Sequence, residues 1–128
     1  MGPIRVLIAE DAPAVRRALA ALLEAEPSVR LVGAAEDAVE AIELARRELP
    51  DVAVIDVKMP GGGGPRAARD ILRHSPATTV IALSAYADQT SVLEMLAAGA
   101  VDYLLKGTPA QDILSAICRC RTVATTAP

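Results

Sequence analysis

The chain has 128 residues, enough for one domain and too few for two ordinary ones. Apolar residues make up 52%, yet there is no Phe or Trp and only two Tyr, so any core must be built of Val, Ile, Leu and Ala. A net charge of −3 is too small to imply a nucleic-acid or membrane-surface partner, no apolar run approaches the ~18 residues of a membrane helix, and no secretory leader is expected, because a strand-like run starts almost at once.

Ile4–Ala9 reads as a strand, and it ends in Glu10-Asp11. Ala12–Ala25 follows with Val15, Ala18, Leu19, Leu22 and Leu23 on one helical face. Pro13 suits the first turn, where its missing N–H would have had no partner, and Pro27 blocks continuation. Val29–Ala35 is a second strand. Asp37 can cap a second helix with Ala38, Ala41, Ile42, Ala45 and Leu49 as its buried stripe, and Pro50 ends it. Val52–Asp56 is a third strand. The stretch Pro60-Gly61-Gly62-Gly63-Gly64 is expected to be loop, because consecutive glycines lose too much backbone entropy in regular structure, and Pro65 opens a third helix to about Arg73. Thr78–Leu83 is a fourth strand. Asp88 or Thr90 starts a fourth helix with Val92, Met95 and Leu96 inward, and Gly99 provides a left-handed stop. Val101–Leu105 is a fifth strand, and Thr108-Pro109 opens a fifth helix through about Arg121. The expected division is one domain over 1–121 and a tail or linker start over 122–128. Cys118 and Cys120, one residue apart, read as reduced thiols on a helix of a cytosolic protein.

Strands separated by helices of this length imply an α/β fold, a parallel sheet with helices on both faces. The flavodoxin-like order 2-1-3-4-5 is the natural expectation for five units. It would bring Glu10, Asp11 and Asp56 together at the carboxyl ends of strands one and three, where open parallel sheets place their chemistry. Two carboxylates about 4 Å apart repel by roughly 4 kcal/mol at an effective dielectric near 20. Either one is protonated or a cation sits among them. An oxygen-only cluster open to water best suits magnesium. The chain also supplies a cation, Lys106, at the end of strand five, and a hydroxyl, Ser84, at the end of strand four. Asp56 can attack phosphorus as a carboxylate nucleophile, magnesium and Lys106 can neutralise the phosphoryl charge, and Ser84 can donate to a phosphoryl oxygen.

Glu10-Asp11, Asp56-Val57-Lys58-Met59-Pro60-Gly61, Ser84-Ala85 and Tyr103-Leu104-Leu105-Lys106, in this order, resemble the receiver domains of two-component response regulators over the whole chain. The resemblance implies a CheY-like five-stranded fold in which Asp56 accepts a phosphoryl group from a sensor histidine kinase. It implies Mg2+ held by Asp11, Asp56 and the backbone carbonyl of Lys58, with Glu10 acting more indirectly. Ala85 would leave room for the phosphoryl group, Lys58 and Tyr86 would tune its lifetime, and Ser84 and Tyr103 would move as the switch. The surface affected would be helix four, strand five and helix five. A cytoplasmic location is implied, with a homodimer on phosphorylation and no enzymatic role beyond self-phosphorylation and autodephosphorylation. No nucleic acid would bind this domain itself; a DNA-binding output would lie outside this chain. Gly107, where many receivers have proline, looks more like the subfamily with LuxR-type outputs.

Other readings stand beside this one. A degenerate receiver acting only as a protein-binding module is left open. A phosphate-ester hydrolase would need a second Asp where Lys58 stands, and a flavin module would have to bring phosphate against Glu10-Asp11. The glycine run lacks the Gly-Lys-Ser/Thr ending of a P-loop. Asp51 and Asp102 read as strand-start or solvated acids, His74 as a surface residue, and Arg16, Arg17, Arg119 and Arg121 as exposed charge.

Overall fold

The computed structural model describes residues 2–86 and 88–126, the last six of these by backbone alone. The elements are β1 (Ile4–Ala9), α1 (Pro13–Glu24), β2 (Val29–Ala35), α2 (Ala38–Glu48), β3 (Val52–Asp56), α3 (Gly63–His74), β4 (Thr79–Ser84), α4 (Gln89–Ala97), β5 (Asp102–Leu105) and α5 (Ala110–Thr126). All strand pairs are parallel and the order is β2-β1-β3-β4-β5, as expected from the five βα units.

Alternation along the buried strands splits the core in two, because successive side chains leave a strand on opposite faces. Val52 and Val54 join Val6, Ile8, Ile81, Leu83 and the inward residues of α1 and α5. Ala53 and Ile55 join Leu7, Ala9, Val80 and Ala82 against α2, α3 and α4. On that second face the helices contribute mainly alanine, at 38, 41, 45, 67 and 68, with Ile42, Leu44, Leu72 and the half-buried Tyr103 packed against this layer.

Several expectations are corrected by the neighbours each residue meets. Leu49 is 56% exposed rather than part of the α2 stripe. Pro50 disfavours a right-handed helical conformation in the residue before it, and Leu49 takes a left-handed one, φ 48°, which turns its side chain off the buried face. The Arg5 guanidinium donates to the carbonyls of Glu48 and Leu49 at that helix end. Leu96 is 46% exposed and Ala18 is also exposed, because each helix buries a narrower stripe than its apolar pattern suggested. In α4 that stripe is centred on Met95, which is fully buried. Gly63 and Gly64 belong to the first turn of α3 rather than to a loop. A side chain at 64 would collide with the end of β3: a Cβ would lie 2.6 Å from the Asp56 carbonyl oxygen. Val101 precedes β5 instead of opening it, and α5 runs to Thr126, past the expected end near Arg121. Asp37 and Asp88 do cap α2 and α4, each accepting a backbone N–H at 2.8 Å, and Gly99 has the expected positive φ.

Candidate functional site

Register brings the acids together. Ala9 pairs with Ile55, so Glu10 and Asp56 emerge side by side from adjacent strands. Asp56 pairs with Leu83, and Ser84 with Leu105, which places Ser84 and Lys106 next along the same edge. The backbone continues these pairings past the strand ends, with the Lys106 N–H donating to the Ser84 carbonyl at 2.8 Å. The Lys106–Gly107 peptide is trans.

One carboxylate oxygen from each of Glu10, Asp11 and Asp56 lies within 4.8 Å of the others. Glu10 is fully buried, Asp56 is 3% exposed, and Asp11 faces solvent. Lys106 bridges the buried two, its Nζ 2.7 Å from Glu10 Oε1 and 3.3 Å from Asp56 Oδ2. The other Glu10 oxygen accepts the Ala12 N–H at 3.1 Å. Glu10 Oε2 is thus hydrogen-bonded, while the buried Oε1 makes no hydrogen bond among the described residues and faces the Lys106 charge. Asp11 and Asp56 line a cleft of about 250 Å³ together with Lys58, Ser84, Ala85, Tyr86 and Lys106.

The electrostatics follow from three acids and one ammonium. Burial pushes the Asp56 carboxyl up to about 7, reinforced by its hydrogen bond with Glu10 and by the Glu10 charge, while Lys106 pulls the other way. Burial acts to lower Lys106, but Glu10 and Asp56 outweigh it and hold the ammonium above its usual value. The cluster thus carries an excess of buried negative charge and only oxygen donors, beside a cleft that admits water. That donor set fits magnesium, which takes one or two carboxylates and keeps several waters.

The switch candidates form one chain of contacts. Ser84 is buried, and its Oγ accepts the Tyr86 N–H at 3.2 Å. The Tyr103 hydroxyl donates to the Tyr86 carbonyl at 2.8 Å. The Lys58 ammonium stands 5.6 Å from the centroid of the exposed Tyr86 ring. Every residue singled out at the strand ends is thus gathered at one edge of the sheet. His74 is exposed, and Cys118 and Cys120 lie on α5 without a disulfide between them. Asp51 is not merely solvated, since it accepts the Arg5 N–H at 2.8 Å.

One participant was missed. Arg16, read as exposed charge, sits on the acidic loop and donates to the Glu10 carbonyl at 2.8 Å and to the Asp11 carbonyl at 3.4 Å. Only its helical phase distinguishes it from Arg17 in the sequence, and that phase has no meaning until the loop's path is known.

A doubly wound five-stranded sheet with an acid cluster and a lysine at its switch point defines a CheY-like domain. The chain belongs to the response regulator receiver domain family, whose profile matches residues 6–118. It is 40% identical over 114 residues to the transcriptional regulatory protein LiaR of Bacillus subtilis, covering 89% of this chain and 54% of that protein. The chain thus spans about half the length of the curated relatives it matches. Among solved structures it resembles a LuxR-family two-component response regulator from Aurantimonas sp. SI85-9A1, with 30% identity, a TM-score of 0.85, and 92% and 84% of the two chains covered. It also resembles the receiver domain of the Pseudomonas aeruginosa sensor histidine kinase PA1611, with 27% identity, a TM-score of 0.82, and 92% and 97% covered; that structure has a magnesium ion coordinated in its active site cleft.

Proposed function

We propose that this receiver domain is phosphorylated on Asp56 by a sensor histidine kinase and transmits that event through its α4-β5-α5 surface. The observation that carries the reading is the acid cluster of Glu10, Asp11 and Asp56 with Lys106 between its two buried members. Asp11, Asp56 and the backbone carbonyl of Lys58 would hold Mg2+, with Glu10 acting through water. When bound, the ion would supply positive charge to the transferring phosphoryl oxygens.

An Asp56 carboxylate oxygen attacks phosphorus of the phosphohistidine, the new O–P bond forms as the N–P bond breaks, and the imidazole leaves with that electron pair. The fold raises the proton affinity of Asp56 in the metal-free state, so cation binding is what would hold it as the carboxylate this attack needs. Lys106, 3.3 Å from Asp56 Oδ2, follows the charge onto the phosphoryl group. Ala85 offers no bulk in the cleft, and Lys58 and Tyr86 cover its rim, where they would limit water attack on the aspartyl phosphate. Ser84 turns its hydroxyl to the phosphoryl group. Because Ser84 Oγ and the Tyr103 hydroxyl both hold the Tyr86 backbone, that turn shifts Tyr86 and releases or recaptures Tyr103. Leu93, Leu96, Val101 and Leu105 are the exposed apolar side chains on the surface this would alter, a surface suited to a second phosphorylated copy. The regulatory names of the relatives support a DNA-binding output outside this chain and a cytoplasmic setting. Among the described residues no helix is long and apolar enough to cross a membrane.

Incubation with acetyl phosphate and Mg2+ tests the reading. Intact-mass measurement should show one added phosphoryl group, lost in Asp56→Asn, and beryllium fluoride should shift the backbone amide resonances of α4 and β5. No added mass in the folded unmodified chain, or a phosphoryl group retained in Asp56→Asn, overturns it.

A further inference from the structure

We propose that Arg16 is a positioning residue for the cation site, holding the backbone of Glu10-Asp11 so that the two carboxylates meet Asp56. The inference rests on the reading of that cluster as a magnesium site. The start of α1 is weakly capped: Ala12, the N-cap residue, has no side chain to offer, and the first turn contains no acid. Among the described residues the one side chain that reaches it is Glu10, whose carboxylate accepts the Ala12 N–H at 3.1 Å. Such helix starts leave their position relative to the preceding loop to other contacts. Here a second contact comes from inside the helix. The Arg16 guanidinium reaches back to two successive carbonyls, Glu10 at 2.8 Å and Asp11 at 3.4 Å. On its far side it meets Glu36 Oε2 at 3.7 Å, just past the end of β2. Its side chain is only 20% exposed.

The arrangement ties three segments with one planar group. The Glu10 N–H already donates to the Ala35 carbonyl at 2.9 Å, so β2 and the acidic loop are joined by backbone as well as through Arg16 and Glu36. Guanidinium donors in a fixed fork can serve two carbonyls and a carboxylate together; an ammonium is a point charge without that geometry. Since the carbonyls of Glu10 and Asp11 are held, rotation of the peptide between them is restrained, and with it the direction in which the exposed Asp11 carboxylate projects. Outer contacts of this kind commonly set metal affinity by 10–100-fold.

A positioning role and a mere charge role predict opposite signs. Removing a nearby positive charge without other effect would tighten binding of a divalent cation, and Arg16→Lys would then behave as the unmodified protein. Under the positioning role both Arg16→Met and Arg16→Lys bind Mg2+ more weakly, by about tenfold in Arg16→Met. The experiment is a magnesium titration of the 128-residue chain, followed by the amide resonances of Asp11 and Asp56, with the metal-free melting curve recorded for each variant. Weaker binding in both variants, with Glu36→Gln intermediate, is the expected result. Unchanged or tighter binding in Arg16→Met, or full recovery of affinity in Arg16→Lys, overturns the proposal. If Arg16→Met does not fold, Arg16→Lys and Glu36→Gln decide by the same criterion. Failure of the unmodified chain to bind Mg2+ would instead sink the underlying reading of the acid cluster.

Discussion

Removing the Asp56 charge should stabilise the metal-free protein, and should do so in a pH-dependent way. The perturbation is Asp56→Asn in the presence of a chelator. The fold moves this carboxyl from an ordinary 3.8 to about 7, chiefly through burial and the adjacent Glu10. At 1.36 kcal/mol per pH unit that displacement corresponds to roughly 4 kcal/mol. The folded state keeps the proton to higher pH than the unfolded chain does. The associated stability is therefore fully present below about pH 4 and is lost as pH rises toward about 7. Asparagine has no charge to acquire, and Lys106 retains Glu10 as its partner at 2.7 Å. Urea unfolding from about pH 4.5 to about pH 8 should thus find Asp56→Asn gaining on the unmodified protein as pH rises, by up to ~4 kcal/mol at the top of the range. With a urea dependence of about 2 kcal/mol/M, that is a midpoint shift of up to ~2 M. Saturating Mg2+ should restore much of the loss in the unmodified chain and little in the variant, because only the former regains a counter-charge for a buried carboxylate. A stability difference that stays constant with pH, or an Asp56→Asn variant less stable than the unmodified protein at about pH 8 without metal, would refute the electrostatic argument.

Three further outcomes follow from the packing of the chain. Gly64→Ala should cost about 2–3 kcal/mol by thermal or urea unfolding, because its Cβ would sit 2.6 Å from the Asp56 carbonyl, 2.8 Å from Val57 Cα and 3.1 Å from Met95 Sδ. The same change at Gly107, where a Cβ would meet nothing beyond its chain neighbours within 4 Å, should stay within about 0.5 kcal/mol. Met95→Ala should lose about 2–4 kcal/mol and speed amide exchange in α4, since Met95 is fully buried and anchors that helix over Gly64.

Chemistry at the strand ends was legible in the chain because punctuation and period agree there. Apolar runs close on Glu10-Asp11, Asp56, Ser84 and Lys106, and prolines at 13, 27, 50 and 65 mark where helices begin and stop. Local rules of this sort need no knowledge of neighbours, and so the five βα units and both aspartate caps could be read in advance. What depended on neighbours could not. Leu49 and Leu96 carry the right spacing for burial, yet both stay exposed: the left-handed turn before Pro50 swings Leu49 off the helix face, and α4 meets the sheet along a narrow line centred on Met95. Gly63 and Gly64 look like loop until the approach of α3 to the end of β3 makes a side chain at 64 impossible.

The amino-acid order by itself determined which side chains stand at the strand ends, since that is set by covalent sequence and backbone periodicity. Their convergence was decided by the tertiary structure alone. Strand order β2-β1-β3-β4-β5 sets Glu10 beside Asp56 and brings Lys106 to within ion-pair distance of both. Coulomb energy depends on distance and on the surrounding dielectric, and both quantities exist only once the sheet has closed over its core.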